Sequence, residues 1–146
     1  MSPVSRTNQT LYYAKTMLVN AQGAGSEQEK AQCEEVALYH LFSTLSGFAN
    51  ELVKQYSLPA FKDLSELFSR PDLPAELKEF ALLYEQQAWP YELLKQYQRV
   101  SVHGFEQGLQ NSNLIMSQSD YTELFRNWLI ELEKTISRTR EHYQEY

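Results

Sequence analysis

The pattern of apolar and polar positions is clearest between Ser26 and Tyr56, a stretch of thirty-one residues with no proline and a single glycine, Gly47. Apolar and small side chains recur there at steps of three and four residues: Ala37, Leu41, Thr44, Leu45, Phe48 and Leu52. This spacing places them on one side of an α-helix, and that side must be buried against another part of the molecule. At about 1.5 Å of rise per residue the helix would be roughly 45 Å long, which favours an elongated helical bundle.

A shorter pattern of the same kind predicts a first helix that runs to about Gln22. Its inner side is formed by four residues: Leu11, Ala14, Leu18 and Ala21. Ser5 or Thr7 is the expected N-cap, because short hydroxyl side chains accept hydrogen bonds from the free N–H groups of a first turn. Residues 1–4 would then form a flexible tail.

Two capping boxes mark later helix starts. Ser26 is followed three residues later by Glu29, and Asp63 by Glu66, the spacing at which a cap and a glutamate satisfy free backbone N–H groups. The link before Ser26 is short and contains two glycines, so the first two helices should be antiparallel neighbours. The second box predicts a short extra helical turn that ends near Phe68.

A third long helix is predicted from Pro74, because proline suits the first turn of a helix. Its inner side is formed by five residues: Leu77, Phe80, Ala81, Tyr84 and Ala88. Pro90 interrupts this pattern, since proline removes an internal hydrogen bond and clashes with the preceding turn. We therefore expect a kink at Pro90, or a break followed by a new helix from Tyr91 to about Val102.

Residues 103–120 contain several glycines, asparagines and serines and are predicted as a long connection. A structureless loop of this length is above the usual range and is often functional. Asp120 with Glu123 then opens a last helix that extends to Tyr143. Its inner side gives the clearest stripe of the chain: Tyr121, Leu124, Phe125, Trp128, Leu132 and Ile136.

These elements predict an all-α fold with one domain over residues 1–146. The expected architecture is an antiparallel up-and-down four-helix bundle with a kinked third helix and a short extra helical turn. The expected core contains twelve residues: Leu11, Leu18, Leu41, Leu45, Phe48, Leu52, Leu77, Phe80, Tyr84, Phe125, Trp128 and Leu132.

Composition restricts the possible partners and the compartment. The formal net charge is −6, and the thirteen lysines and arginines are spread among acids. A nucleic-acid partner is therefore not expected, because phosphates require clustered cations. Cys33 is the single cysteine, which rules out an internal disulfide and fits a reducing compartment. Residues 1–25 lack a signal-peptide pattern, and no apolar run approaches the roughly 20 residues that span a bilayer. We expect a cytoplasmic protein with no membrane partner.

The histidines do not fit a known metal or ribonuclease pattern. Di-iron bundles use Glu-x-x-His, but no acid stands three positions before His40, His103 or His142. We expect no metal, although convergence of the three histidines in space stays open. Arg138 with His142, and Arg99 with His103, approach the arginine–histidine spacing of one class of ribonuclease and toxin bundles. In each case the two residues are one helical turn apart, and we interpret them as pairs on the protein surface.

No catalytic residue is predicted elsewhere. Cys33 lies beside Glu34 and Glu35, which disfavour a reactive thiolate, so it is interpreted as a small buried apolar residue. The two glutamates are neighbours on a helix and point in different directions, so they do not form a catalytic pair. Phosphate-binding glycine loops and the Gly-x-Ser-x-Gly motif are absent from the sequence.

The first helix opens with an unusually polar and then aromatic segment: Arg6-Thr7-Asn8-Gln9-Thr10-Leu11-Tyr12-Tyr13-Ala14. This segment resembles the N-terminus of a family of short, uncharacterised gammaproteobacterial proteins, a domain of unknown function. The segment from Glu35 to Leu41 is similar to the second helix of that family. The resemblance covers the first third of the chain. It implies a bacterial, cytoplasmic, α-helical protein and brings no activity, cofactor or site residues.

Three functions stay open. The leading hypothesis is a non-enzymatic interaction or accessory protein with an unknown protein partner, a homodimer being one form, because no set of catalytic groups survives these tests. The second is a small-ligand or metal-binding bundle with an aromatic-lined pocket, or an enzyme of unrecognised type. It is motivated by ten tyrosines and by His40 at a helix edge. The third is a nucleic-acid-associated factor. No cofactor is expected, and cofactor-binding residues are unknown.

Overall fold

The computed structural model of the protein describes residues 2–103 and 118–144. This part of the chain contains six α-helices and no strand: α1 Pro3–Gln22, α2 Glu27–Gln55, α3 Leu64–Phe68, α4 Ala75–Glu85, α5 Trp89–His103 and α6 Gln118–Gln144. The predicted all-α class is confirmed. Within the described ranges, no helix is long and apolar enough to cross a lipid bilayer.

The first helix begins earlier than predicted. Ser2 is the N-cap of α1, and its Oγ accepts a hydrogen bond from the backbone N–H of Ser5 at 3.1 Å. Pro3 occupies the first helical position, where the missing N–H is harmless and the fixed φ suits a helix. The prediction that Ser5 or Thr7 caps this helix is therefore wrong. Residues 2–4, predicted as part of a flexible tail, form the cap and the first turn.

Both predicted capping boxes are confirmed. Ser26 Oγ accepts from the backbone N–H of Glu29 at 3.1 Å, and Asp63 Oδ1 accepts from that of Glu66 at 2.8 Å. In each box the glutamate carboxylate in turn accepts from the backbone N–H of the residue before the cap, at 3.0 and 3.1 Å. These bonds fix the starts of α2 and α3.

α4 and α5 are separate helices where the sequence predicted a kink or a break. α4 ends at Glu85, and Gln87 adopts a left-handed φ of 58°. The chain turns there before α5 begins at Trp89. Pro90 therefore lies in the first turn of α5, where it removes no hydrogen bond from a helix interior.

Contacts between helices show that α1 and α4 run opposite to α2 and α6. The direction of α1 follows from four contacts: Thr10 to Thr44 and Tyr13 to His40 on α2, and Asn8 to Arg140 and Lys15 to Glu133 on α6. That of α4 follows from four others: Phe80 to Phe48 on α2, Glu76 to Tyr56 just after the end of α2, and Glu79 to Arg138 and Glu76 to His142 on α6. In each set the residue numbers rise along one helix and fall along the other.

The predicted core is largely present. Ten of its twelve residues are buried, while Leu11 and Tyr84 are partly buried and pack against the others. Leu67 of α3 and Leu93 of α5 extend the core beyond the prediction. The interior also holds polar side chains: Thr7, Thr10, Glu34, Thr44, Glu51, Gln96, Thr122, Thr135 and Thr139. Burying a polar group is costly unless it is hydrogen-bonded. Glu34, Thr44 and Glu51 have side-chain partners on other helices, whereas Gln96 Oε1 has no hydrogen-bond partner in the described part of the chain.

The predicted connection over residues 103–120 is described only at its ends. α5 reaches His103 and α6 begins at Gln118, two residues before the predicted start at Asp120. Residues 104–117 and the side chain of His103 lie outside the described part of the chain.

Candidate functional site

Small side chains bring α1 and α2 into close contact. Thr10 Oγ1 and Thr44 Oγ1 lie 2.8 Å apart in the interior, and Thr7 Oγ1 donates to the backbone carbonyl of Pro3 at 3.0 Å. A Cβ added to Gly47 would lie 3.1 Å from Thr7 Oγ1. The two backbones are therefore close enough that the side chains at the outer edges of both helices meet on the surface.

The most extensive feature on that surface is a band of six rings, here called the aromatic band: Tyr12 and Tyr13 on α1, Tyr39, His40 and Phe42 on α2, and Tyr97 on α5. The Tyr13 and His40 ring centroids are 5.1 Å apart, and Tyr13 also contacts Tyr12 at 6.4 Å. The Tyr97 ring lies parallel to that of Phe42 at 3.8 Å and meets Tyr39 edge-on at 5.4 Å. Both groups include rings at the same level of α2, because Tyr39 of one directly precedes His40 of the other, and together they involve three helices.

The aromatic band leaves large rings in contact with water. Tyr12 is 65% exposed and Tyr39 is 38% exposed. Tyrosine supplies much contact area with few rotatable bonds and keeps a hydroxyl for hydrogen bonding, and it is enriched at protein–protein interfaces and their energetic centres. The band therefore has the composition of a recognition surface.

His40 contributes an uncharged ring to this band. Partial burial, and secondarily the charge of Arg6, lower the pKa of His40 below its ordinary value of 6.5. The imidazole is thus mostly neutral at pH 7. The sequence placed His40 at a helix edge, and its ring lies there against Tyr13.

The described histidine side chains do not converge. His40 lies against α1, whereas His142 Nε2 lies 3.9 Å from Glu76 Oε1. Tyr56, just after the end of α2, also donates to Glu76, at 2.7 Å. His142 is therefore beside the far end of α2, about 24 Å along that helix from His40 at 1.5 Å per residue. Among the described residues no group of three or more histidine, cysteine or acidic side chains is placed to hold a metal ion.

The residues considered for catalysis are separated as well. Cys33 is partly buried, not buried as predicted. Arg138 Nη2 lies 2.5 Å from Glu79 Oε1, so Arg138 and His142, one turn apart on α6, both face α4. The arginine–histidine spacing of Arg138 and His142 thus corresponds to surface contacts between α6 and α4.

Glu34 is the residue whose environment the sequence interpretation missed. Its side chain is on α2 and only 1% of the residue is exposed. Thr122 Oγ1 of α6 donates to Glu34 Oε2 at 2.6 Å, and the backbone N–H of Thr122 also donates to this carboxylate. Burial raises the pKa of Glu34 above its ordinary value of 4.5, and Glu27 adds to this, while Thr122 and the charge of Lys30 oppose it.

An open cavity of about 790 Å³ lies beside Thr122, between the α1–α2 turn and the start of α6. Lys30, Arg126, Glu27 and Glu123 line it among the described residues, so the walls carry both charge signs. Glu34 is not in that lining. An acid with a raised pKa suits general acid catalysis only if it reaches a substrate, and Glu34 is set behind Thr122.

Replacing Glu34 by glutamine is expected to flatten the pH dependence of stability. Because the folded pKa of Glu34 is raised, its contribution to stability is complete below its ordinary value of 4.5 and is lost as the pH rises through the folded pKa. The E34Q protein should therefore gain stability relative to the wild type as the pH is raised. Urea unfolding at a series of pH values measures this.

Glu35→Gln is the matched control for this prediction, because Glu35 is the next residue on α2 and is partly exposed. The E35Q protein should keep the pH slope of the wild type. Equal slopes for the wild type and E34Q would show that Glu34 does not titrate differently on folding.

A second buried polar group ties three helices together. Arg140 of α6 contacts Glu51 of α2 through two nitrogens, at 2.9 and 3.3 Å, and donates to Asn8 Oδ1 of α1 at 2.6 Å. The Glu51 side chain is 4% exposed, and the guanidinium lies 6.0 Å from the centre of the Phe48 ring. The guanidinium donors are already bonded to the protein, so this group is a structural connection.

Comparison with known proteins gives a family and no described relative. A model of a protein family matches residues 1–146 of the chain, and that family is described as one of unknown function. The match includes the first third of the chain, where the sequence resembles an uncharacterised family, and extends over the remaining two thirds. No curated protein and no solved structure matches the chain.

Proposed function

Because the chain belongs to DUF6586, a family of unknown function, we propose a function from its own geometry: a non-enzymatic interaction protein that binds a partner protein through the aromatic band. The observation that carries the proposal is the presence of two groups of contacting rings at one level of α2, which involve α1 and α5 and leave Tyr12, Tyr13 and Tyr39 in contact with solvent. Exposed aromatic rings lower the free energy of a complex when a partner covers them.

The surroundings of the band support a protein partner over a nucleic acid. Stacking on bases would also use exposed rings, but it is accompanied by a cationic groove that tracks phosphates. Arg6 lies near His40 and donates to Gln9 Oε1 at 2.5 Å, and the chain as a whole carries a net charge of −6. A mixed polar and aromatic surface of this kind fits a protein.

The arrangement of polar groups supports a non-enzymatic role. Glu34, whose raised pKa would suit an acid catalyst, lies behind Thr122, and the side chains of Arg140 and Glu51 are bonded to each other. The alternative of a small-ligand bundle with an aromatic-lined pocket is less well supported, because the described cavities are open.

The proposed architecture is the up-and-down four-helix bundle expected from the sequence, with α4 and α5 together as an interrupted third rod. The opposed directions of α1 and α4 relative to α2 and α6 support it. In this arrangement the aromatic band lies on the side formed by the first three rods. We also propose a cytoplasmic location, which the single cysteine supports.

Serine substitution in the aromatic band is expected to weaken partner binding while leaving the fold intact. Tyr12→Ser and Tyr39→Ser each remove an exposed ring, and loss of a central aromatic contact typically weakens binding by roughly tenfold or more. The measurement is the amount of a stoichiometric partner retained by the tagged full-length chain, with circular dichroism as the check on folding.

Ile130→Ser is the matched control. Ile130 is on α6 and is 39% exposed, like Tyr39 at 38%, but it lies outside the band. I130S should retain the partner as the wild type does. The proposal fails if no stoichiometric partner exists, if all three variants retain it equally, or if the protein turns over a substrate in a reaction that depends on His40 or Glu35.

A further inference from the structure

α4 presents a second surface, separate from the aromatic band, that has the form of a self-complementary contact. Four of its residues follow one another at steps of three, one and three along the same side of the helix, and we call them the α4 stripe: Lys78, Ala81, Leu82 and Glu85. All four line an open groove of about 640 Å³. Leu82 is 48% exposed, a large apolar side chain beside an empty space.

Apolar side chains form part of the wall of the groove opposite the stripe, beside Asp72. Phe68 of α3 and Leu73, which lies between α3 and α4, line this wall. The Phe68 ring contacts that of Tyr84 at 5.5 Å. Arg70 also lines the groove, but its guanidinium is bonded to Glu66 at 2.6 and 2.9 Å. That cation is already compensated, so Lys78 and Glu85 of the stripe, together with Asp72, supply the remaining charges of the groove.

The two charged residues of the stripe lack ion-pair partners in the described part of the chain. Lys78 and Glu85 are exposed, and no described acid or base lies within ion-pair distance of either. Their order is also unfavourable within α4. A lysine near the N-terminus of a helix and a glutamate at its C-terminus both oppose the helix dipole. The stability of α4 therefore does not explain these charges.

The spacing explains them if a second α4 lies antiparallel on the first. A two-fold axis between Ala81 and Leu82 places Lys78 opposite Glu85 of the second copy, and Glu85 opposite its Lys78. The same operation sets Leu82 above Ala81 of the second copy, so a large side chain meets a small one beside the groove. We infer that the α4 stripe is the contact of a symmetric homodimer, in which each residue pair occurs twice.

This inference deepens the proposed interaction role by naming one partner, a second copy of the chain, and it uses a different surface from the aromatic band. The stripe spans about 10.5 Å of helix at 1.5 Å per residue. A contact of this size is at the small end of specific interfaces, so we expect a reversible dimer with a dissociation constant on the order of micromolar. Because its outer pairs are charged and exposed, salt should weaken it.

Charge reversal in the full-length protein tests the inference. Lys78→Glu places two glutamates opposite each other twice in the dimer, and Glu85→Lys does the same with lysines. Each single variant should dissociate at least about tenfold more readily than the wild type in sedimentation velocity. An equimolar mixture of the two single variants should form a heterodimer, because every facing pair is then again of opposite sign. The double variant should dimerise as the wild type does.

A charge reversal away from the α4 stripe serves as the control. Lys134→Glu reverses an exposed charge on α6, off the stripe, and should leave dimerisation unchanged. A wild-type protein that is monomeric throughout the micromolar range overturns the inference, as do single variants that still dimerise or a mixture that stays monomeric. Tyr12→Ser should not affect this dimer, so loss of the band-bound partner and loss of self-association are separate results.

Discussion

Replacing Arg140 by alanine is expected to lower the free energy of unfolding by about 3–5 kcal/mol, the typical cost of removing one partner from a buried ion pair. The substitution leaves the Glu51 carboxylate, whose side chain is 4% exposed, without two guanidinium hydrogen bonds at 2.9 and 3.3 Å. It also removes a cation beside the Phe48 ring and the donor to Asn8 of α1. Urea or guanidinium denaturation followed by circular dichroism measures the loss.

Arg138→Ala is the matched control, since Arg138 is two residues away on the same helix. Its ion pair with Glu79 joins side chains that are 61% and 43% exposed, so its loss should cost less than about 1 kcal/mol. A comparable loss in both variants would contradict the distinction between the buried and the exposed pair.

A double replacement separates the loss of the contact between Arg140 and Glu51 from the cost of leaving the Glu51 carboxylate buried without that partner. Replacing both Arg140 and Glu51 by methionine removes the pair without leaving a buried carboxylate, and buried ion pairs are often replaced by apolar side chains at little cost. The double variant should be more stable than R140A. If it is less stable than R140A, the unpaired Glu51 carboxylate is not the main source of the loss in R140A.

The helices are the part of the molecule that periodicity predicts well. The stripe from Ala37 to Leu52 and the two capping boxes are local patterns, and local backbone geometry follows from them directly. The end of α4 was placed less accurately. Pro90 marks an interruption, but the chain turns at Gln87, a residue with no strong turn signal.

The buried polar pairs were not predicted because each is made by residues far apart in the chain. Glu34 meets Thr122, and Glu51 meets Arg140, across separations of 88 and 89 residues. Polarity predicts exposure, and periodicity gives no register between helices. A signal did exist: Glu34 precedes Leu41 by seven residues, or two helical turns, and so falls on the inner side of α2.

The aromatic band was predictable in part. Tyr12 and Tyr13 widen the apolar surface of the first helix, and His40 was placed at the edge of the second. The ring of Tyr97 was not expected to lie on that of Phe42, because this contact depends on how α5 is rotated after the break that follows α4. Surfaces that join several helices require the tertiary structure.

Replacing Gly47 by valine is expected to lower the free energy of unfolding by about 2–3 kcal/mol, as overpacking of a close contact does. Even a Cβ at this position would lie 3.1 Å from Thr7 Oγ1, and that oxygen is held by its hydrogen bond to the Pro3 carbonyl at 3.0 Å. Valine adds two further carbons, so α1 must move away from α2. The gain in helix propensity over glycine is below about 1 kcal/mol and does not offset this. Denaturant unfolding measures the loss.

The cause of that loss is tested by changing Thr7. In a Thr7→Ala background the atom nearest the new side chain is absent, so Gly47→Val should cost less by at least about 1 kcal/mol, a coupling typical of residues in contact. Thr7→Val is the control background, because it keeps an atom of similar size in place of Oγ1 and should restore the full cost. An equal cost in all three backgrounds would mean that Thr7 does not limit the approach of α1 to α2. Other residues between α1 and α2 would then hold Tyr13 against His40.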